Sequence, residues 1–284
     1  MMAFPETLRL PMAEWVNTAM DWILLNWGPF FDLAGKGILQ MLLLIERLFL
    51  WIPWWAVVLA TGILAWRALG RWTAGVVMAL LLLVIGSFGY WELAMMTLAL
   101  VASAVVISLV IGIPTGILMA RSDRLETLIR PLLDAMQTMP SFVYLIPALM
   151  LFGLGKVPAV FATIIYAMPP VIRLTNVGIR QVAPSVIEAA TAFGSSPRQI
   201  LFNVQLPLAR PSIMVGINQT TMMALSMVVV ASMIGAKGLG LEVLLSINRI
   251  DIGRGFEAGL SIVILAIIID RITHAFAVRR PTGA

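Results

Sequence analysis

Glu188, Arg198 and Arg210 are the charged side chains of a polar stretch, EAATAFGSSPRQILFNVQLP at 188–207 and its immediate continuation, in an otherwise apolar chain. These residue types suit recognition more than covalent chemistry. A carboxylate and guanidinium groups offer charge-assisted hydrogen bonds to a partner, and Ala189 and Ala190 let a facing surface come close. The spacing also predicts a shape. Ser185 and Glu188 fit an S-x-x-E capping box after Pro184. Gly194 is a natural helix stop. Ser196, Pro197 and Gln199 then suit the cap, first and third positions of a second helix, which Pro207 and Pro211 are expected to end. Glu188 has two readings at this point, a helix cap and nothing more, or a contact with another protein.

Other chemistry finds little support. The chain has no cysteine and a single histidine, His274, so no thiol or histidine metal cluster is available. No nucleophile–base pair stands out. A phosphate-binding G-x-x-x-x-G-K-[ST] loop is missing; the glycine-rich stretch from Gly235 through Lys237 and Gly238 to Gly240 lacks that order and reads as a turn between spans. No catalytic residue, bound cofactor or metal is therefore expected.

The elements that must position the polar stretch follow from composition. The chain is 61% hydrophobic and 12% charged, with a mean hydropathy of +0.99. A soluble domain carries roughly a quarter charged residues. This chain is read as an all-α, polytopic membrane protein in contact with lipid. The net charge of +5 is scattered between apolar segments, which speaks against nucleic acid. The start, MMAFPETLRLPMAEW, lacks the basic and apolar regions of a cleavable signal. Six spans are expected at about 53–69, 72–89, 92–119, 157–178, 211–234 and 256–276. A seventh, 133–154, is interrupted by Pro140 and Pro147 and should face the bundle interior. With an external N-terminus and a cytoplasmic C-terminus, twelve arginines lie inside against seven basic residues outside. That orientation puts 184–207 in the cytoplasm. Residues 37–51 are short for a span and carry Glu46 and Arg47. They read as an amphipathic helix on the outer surface, the alternative being an eighth span that would bring the N-terminus inside.

The spacing of Glu188-Ala189-Ala190, Gly194, Leu206 and Pro207 resembles the E-A-A-x3-G-x9-I-x-L-P docking loop of ABC importer permeases, with Val204 where that pattern has Ile. Further runs at 130–159, 169–183, 195–235 and 262–274 are similar to permeases of the glycine betaine/proline betaine importers of ProU/OpuA type and their choline-importing relatives. The resemblance covers roughly 53–276. It implies a type I importer permease in a bacterial inner membrane, with a five-helix core over 92–276, a coupling loop over 184–207, and scaffold helices over 53–91. An external tail and interfacial helix would occupy 1–52, and a cytoplasmic tail 277–284. It also implies a second copy of the permease, two cytoplasmic ATPases that use ATP and Mg, and an external substrate-binding protein. The docking residues would be Glu188, Ala189, Ala190, Gly194, Pro197, Arg198, Leu206 and Pro207.

The implied substrates are quaternary ammonium osmolytes, which aromatic faces recognise. Candidate path-lining residues are Met139, Phe142 and Tyr144 in the broken span and Asn218, Gln219 and Ser226 in a later one. Helix-to-helix hydrogen bonding is the competing role for the polar three. No carboxylate lies between Gln137 and Ser185, which argues against an ion-coupled carrier or channel, the alternative function. Asp270 is expected to pair with a nearby arginine.

Overall fold

The computed structural model describes residues 10–278, and every regular element among them is helical. Helix α1 (Met12–Trp51) is followed by α2 (Trp54–Leu69), α3 (Trp72–Ser87) and α4 (Trp91–Arg121). Then come α5 (Asp123–Thr138), a 3-10 turn at Ser141–Tyr144, α6 (Leu145–Phe152), α7 (Lys156–Ala167), α8 (Pro169–Arg180) and α9 (Pro184–Ala192). The single turn α10 (Pro197–Gln199) leads through a π-helical segment, Ile200–Gln205, into α11 (Leu206–Ser232), and α12 (Leu239–Arg249) and α13 (Ile252–Val278) complete the bundle.

Small residues decide how the centre packs. Ala104, Ser108, Gly112 and Gly116 recur every fourth residue along α4, and all four are buried. Such a stripe lets helix backbones approach closely. A Cβ on Gly112 would lie 2.5 Å from the Val171 side chain, and one on Gly116 2.7 Å from the Ile172 carbonyl oxygen. Helix α8 occupies that groove. Its Gly178 meets Ala209 and Ser212, while Gly216 of α11 receives Val171 and Leu174. Thus α8 is sandwiched between α4 and α11. Helix α13 runs antiparallel to α11: Val228 shares a cluster with Ile262, and ten residues earlier Asn218 bonds Asp270. The α2–α3 hairpin turns at Gly70 (φ +70) and packs Ala65, Met78, Leu82 and Ile85 against Ile264, Leu265 and Ile268 of α13.

By length and composition, four helices among the described residues can cross a membrane alone: Trp91–Arg121, Lys156–Arg180, Pro197–Ser232 and Ile252–Ala275. The number rises to six if the bent pairs α1–α2 and α5–α6 each count as one span. Helix α3, expected as a span, has sixteen residues and reaches about 24 Å.

Four local expectations change. The short helix over 37–51 is not a separate element; it is the end of the 40-residue α1. One face of that end is buried, with Leu42 packed on Ala99 and Leu100 of α4 and Glu46 only 8% exposed. Lys156 Nζ holds Glu46 Oε2 at 2.6 Å, so the charge that made the segment look superficial is neutralised across helices. Helix α1 meets α2 at 97°. In the broken region, α5 starts at Asp123, and a 111° bend separates it from the Ser141–Phe152 segment. The break falls at Pro140, whose missing N–H cannot continue the helix. Pro207 and Pro211 do not end the second loop helix. The helix runs from Pro197 to Ser232, and the widened π-helical turns just before Pro207 make room for the proline ring. Finally, α12 fills a region read only as a turn and its flank; Thr97 Oγ1 accepts the Leu239 N–H at 2.9 Å and fixes its start. The expected tail over 277–284 lies outside the described residues apart from the end of α13, as do residues 1–9.

Candidate docking loop and translocation path

The loop between α8 and α11 is built by local chemistry. Pro184 opens α9, where its absent N–H costs nothing. Ala183 takes the cap position, so Ser185 lies inside the helix and the expected Ser185–Glu188 capping box does not form. Helix α9 stops at Gly194, whose φ of +81 suits a residue without a Cβ. The Ser195 N–H reaches the Ala190 carbonyl at 3.0 Å and the Gly194 N–H reaches Thr191 at 2.9 Å. This pair satisfies carbonyls that the helix end would otherwise leave open. Ser196 then forms the expected capping box. Its N–H donates to Gln199 Oε1 at 2.8 Å, and its Oγ accepts the Gln199 N–H at 3.4 Å.

This construction presents the loop outward. No residue of α9 is buried. Glu188, Ala189, Gly194, Pro197, Arg198 and Pro207 are exposed, while Ala190 and Leu206 are half-buried. Glu188 makes no hydrogen bond or ion pair among the described residues, so its carboxylate is available. Phe193, which sequence reasoning passed over, is 92% exposed at the end of α9. At the other end of α9, a groove of about 350 Å³ runs between the end of α8 and the starts of α9 and α11, lined by Gln181, Val182, Ala183, Val186, Leu208 and Ser212. An apolar knob and an unpaired carboxylate on one projection, with a groove at the other end of the same helix, can receive a folded partner.

The expected path residues divide. Phe142 is 58% exposed and Met139 is also exposed, but Tyr144 is 6% exposed and belongs to the core. Its hydroxyl donates to the Met136 carbonyl across the break, and its ring lies 6.2 Å from that of Tyr166. Tyr144 thus braces the bend. Gln219 and Ser226, seven residues apart, share an exposed side of α11 with Val215, and Met233 just past the helix end is exposed too. Asn218 turns to α13 and donates its Nδ2 to Asp270 Oδ1 at 2.9 Å. Asp270 therefore takes an amide where an arginine was expected, and no ion pair to it occurs among the described residues.

Sequence reasoning also missed a polar cluster at the base of the loop. The Arg180 guanidinium holds Asp123 Oδ1 at 2.7 Å and Glu126 Oε2 at 3.0 Å. It also donates to the Met119 carbonyl at 3.0 Å and to Asn176 Oδ1 at 3.1 Å. Arg173 pairs with Asp134 on the same two helices, α5 and α8. Arg180 was visible in sequence only as one more inner-side charge. At the other end of the bundle, Tyr90 precedes α4. Burial raises its phenol above the ordinary range, helped by the Glu242 and Glu257 carboxylates and opposed by Arg254.

Residues 112–280 match the family described as "Binding-protein-dependent transport system inner membrane component". The chain is 50% identical over 272 residues to the "Glycine betaine/proline betaine transport system permease protein ProW" of Escherichia coli (strain K12), covering 96% of this chain and 76% of the relative. It is 46% identical over 282 residues to the "Glycine betaine/carnitine transport permease protein GbuB" of Listeria monocytogenes serotype 1/2a (strain 10403S), covering 96% and 97%. Among solved structures it shares its fold with a chain from inward-facing conformations of the MetNI methionine ABC transporter. That match has a TM-score of 0.58 and 23% identity, and covers 64% of this chain and 93% of the other. The match through the helical core and near-half identity along almost the whole chain lead to one assignment: the chain belongs to the binding-protein-dependent transport system inner membrane component family.

Proposed function

We propose that this chain is the permease subunit of an ATP-driven importer for quaternary ammonium osmolytes, with glycine betaine, proline betaine or choline as its substrates. The observation that carries the reading is the outward-facing loop at Glu188–Phe193, none of whose residues is buried, in a chain closely similar to betaine and carnitine permeases. The loop docks a cytoplasmic ATPase through Glu188, Ala189, Ala190, Gly194, Pro197, Arg198, Leu206 and Pro207. Two ATPases serve two copies of the permease, and a binding protein on the other side delivers the solute. The inner-side excess of arginine supports an external N-terminus, a cytoplasmic C-terminus and a cytoplasmic loop. ATP and Mg belong to the ATPase, for this sequence has no phosphate-binding loop order. As the ATPases close, the two loops move together and the core switches from inward- to outward-open. Phe142, Met139, Gln219 and Ser226 are the path candidates that the fold leaves accessible, and Tyr144 and Asn218 support the helices behind them.

The test is uptake of labelled glycine betaine into proteoliposomes holding the permease, its ATPase and its binding protein. Uptake should require ATP, and deletion of 188–194 should abolish both uptake and co-purification of the ATPase. Uptake driven by an ion gradient without the ATPase would overturn the reading.

A further inference from the structure

Helix α9 buries none of its residues, so a push on it leaves through its two ends and through its side contact with the π-helical segment that leads into α11. One end joins α11 directly through the capped turn at Ser196. The other joins α8, whose last residue is Arg180. The Arg180 side chain does not stay with its own helix. Its two terminal nitrogens reach Asp123 and Glu126 in the first turn of α5 and the Met119 carbonyl near the end of α4, while Nε donates to Asn176 one turn back. Asn176 Nδ2 in turn donates to Glu126 Oε1 at 3.0 Å. The planar guanidinium carries five N–H donors in a fixed fork, and here the fork spans two neighbouring helices. The acids sit at the positive end of α5 and the carbonyl at the negative end of α4, where each is electrostatically suited to its place.

The far end of α5 is the other half of the argument. It stops at Thr138, and Tyr144 hooks back to the Met136 carbonyl across the 111° bend. Helix α5 is a rod of about 24 Å with Arg180 at one end and the broken segment bearing Met139 and Phe142 at the other. The Arg173–Asp134 pair ties it to α8 again along its length.

We infer that Arg180 is the positioning residue that makes α5 follow α8 when the docking loop moves, so that ATPase closure reaches the bend at Pro140. This inference rests on the ATP-driven reading above. The acceptors of Arg180 lie within the chain, and it acts through Asp123, Glu126 and α5. A half-exposed ion pair contributes little to stability by itself, so the expected defect is in coupling and not in assembly.

The experiment measures glycine betaine transported per ATP hydrolysed in proteoliposomes with ATPase and binding protein. Arg180→Gln should keep ATPase co-purification and ATP hydrolysis, with the transported solute per ATP falling at least tenfold. Arg180→Lys, one point charge that cannot span the same acceptors, should fall between. Retained co-purification and ATP hydrolysis beside a fallen solute-to-ATP ratio is the signature that a merely structural role would not produce. If Arg180→Gln lowers the yield of the complex, the variant Asp123→Asn with Glu126→Gln, which keeps the arginine, takes its place. An unchanged solute-to-ATP ratio in the variant that assembles overturns the inference. Absence of ATP-dependent uptake in the wild type overturns the functional reading and this inference with it.

Discussion

Tyr144 and Phe142 stand two residues apart in one short turn, yet one is sealed in the core and the other faces out. Their chemistry follows that difference. Tyr144→Phe removes a hydroxyl that bonds the Met136 carbonyl and should cost about 1 kcal/mol. The expected outcome is a lower Tm in detergent together with altered uptake, since the lost bond spans the bend. Phe142→Ala should leave Tm nearly unchanged and act on uptake alone. At the loop, the Glu188 carboxylate has no partner among the described residues, so Glu188→Lys should leave thermal stability within about 0.5 kcal/mol. It should weaken ATPase binding by roughly tenfold, the equivalent of about 1.4 kcal/mol of a charge-assisted contact turned repulsive. Pull-down with the ATPase tests the docking role. Gly194 and Ser196 take the stop and cap positions that the sequence predicted, whereas Glu188 does not complete the predicted capping box. It did not show Phe193 as the exposed knob or Arg180 as a node, because the first depends on which way a helix ends and the second on three helices meeting.

At the scale of elements, the loop depends on one backbone conformation and α1 on one ion pair. Gly194 sits at φ +81, where a Cβ costs about 1–2 kcal/mol. Gly194→Val should loosen the α9–α10 turn and reduce co-purification of the ATPase, while the transmembrane bundle keeps its thermal transition. Helix α1 is pinned by Glu46 and Lys156, both largely buried. Glu46→Ala leaves that lysine without its partner and should destabilise by about 3 kcal/mol. Replacing both, Glu46→Gln with Lys156→Met, should recover most of the loss, as read by thermal unfolding. Helix positions were largely legible in sequence, because an apolar run long enough to span has few other solutions. Helix ends were less so. Pro207 signals an ending on its own, and only the π-helical turns before it explain why the helix passes through.

At the scale of the whole molecule, α8 is held on both sides by close backbone approach. Gly116→Val would drive side-chain atoms into the Ile172 carbonyl and Thr175. Overpacking of this kind costs typically about 1–3 kcal/mol. The expected result is a lowered Tm and loss of uptake with the docking loop intact in sequence. The same sandwich places the loop at the joint of α8 and α11, so that it is connected to the centre of the bundle and not to its periphery.

The sequence alone determined that the chain is a helical membrane protein, which side its charges favour, and that a polar two-turn loop breaks its apolar run. Those properties are read from composition, charge asymmetry and local caps, all of which act over a few residues. The tertiary structure alone decided which small residues face each other, that Asn218 turns to Asp270 while Gln219 does not, and that Arg180 gathers acceptors from α4 and α5. Such contacts join residues tens of positions apart, and helix rotation and crossing, which local spacing does not encode, bring them together.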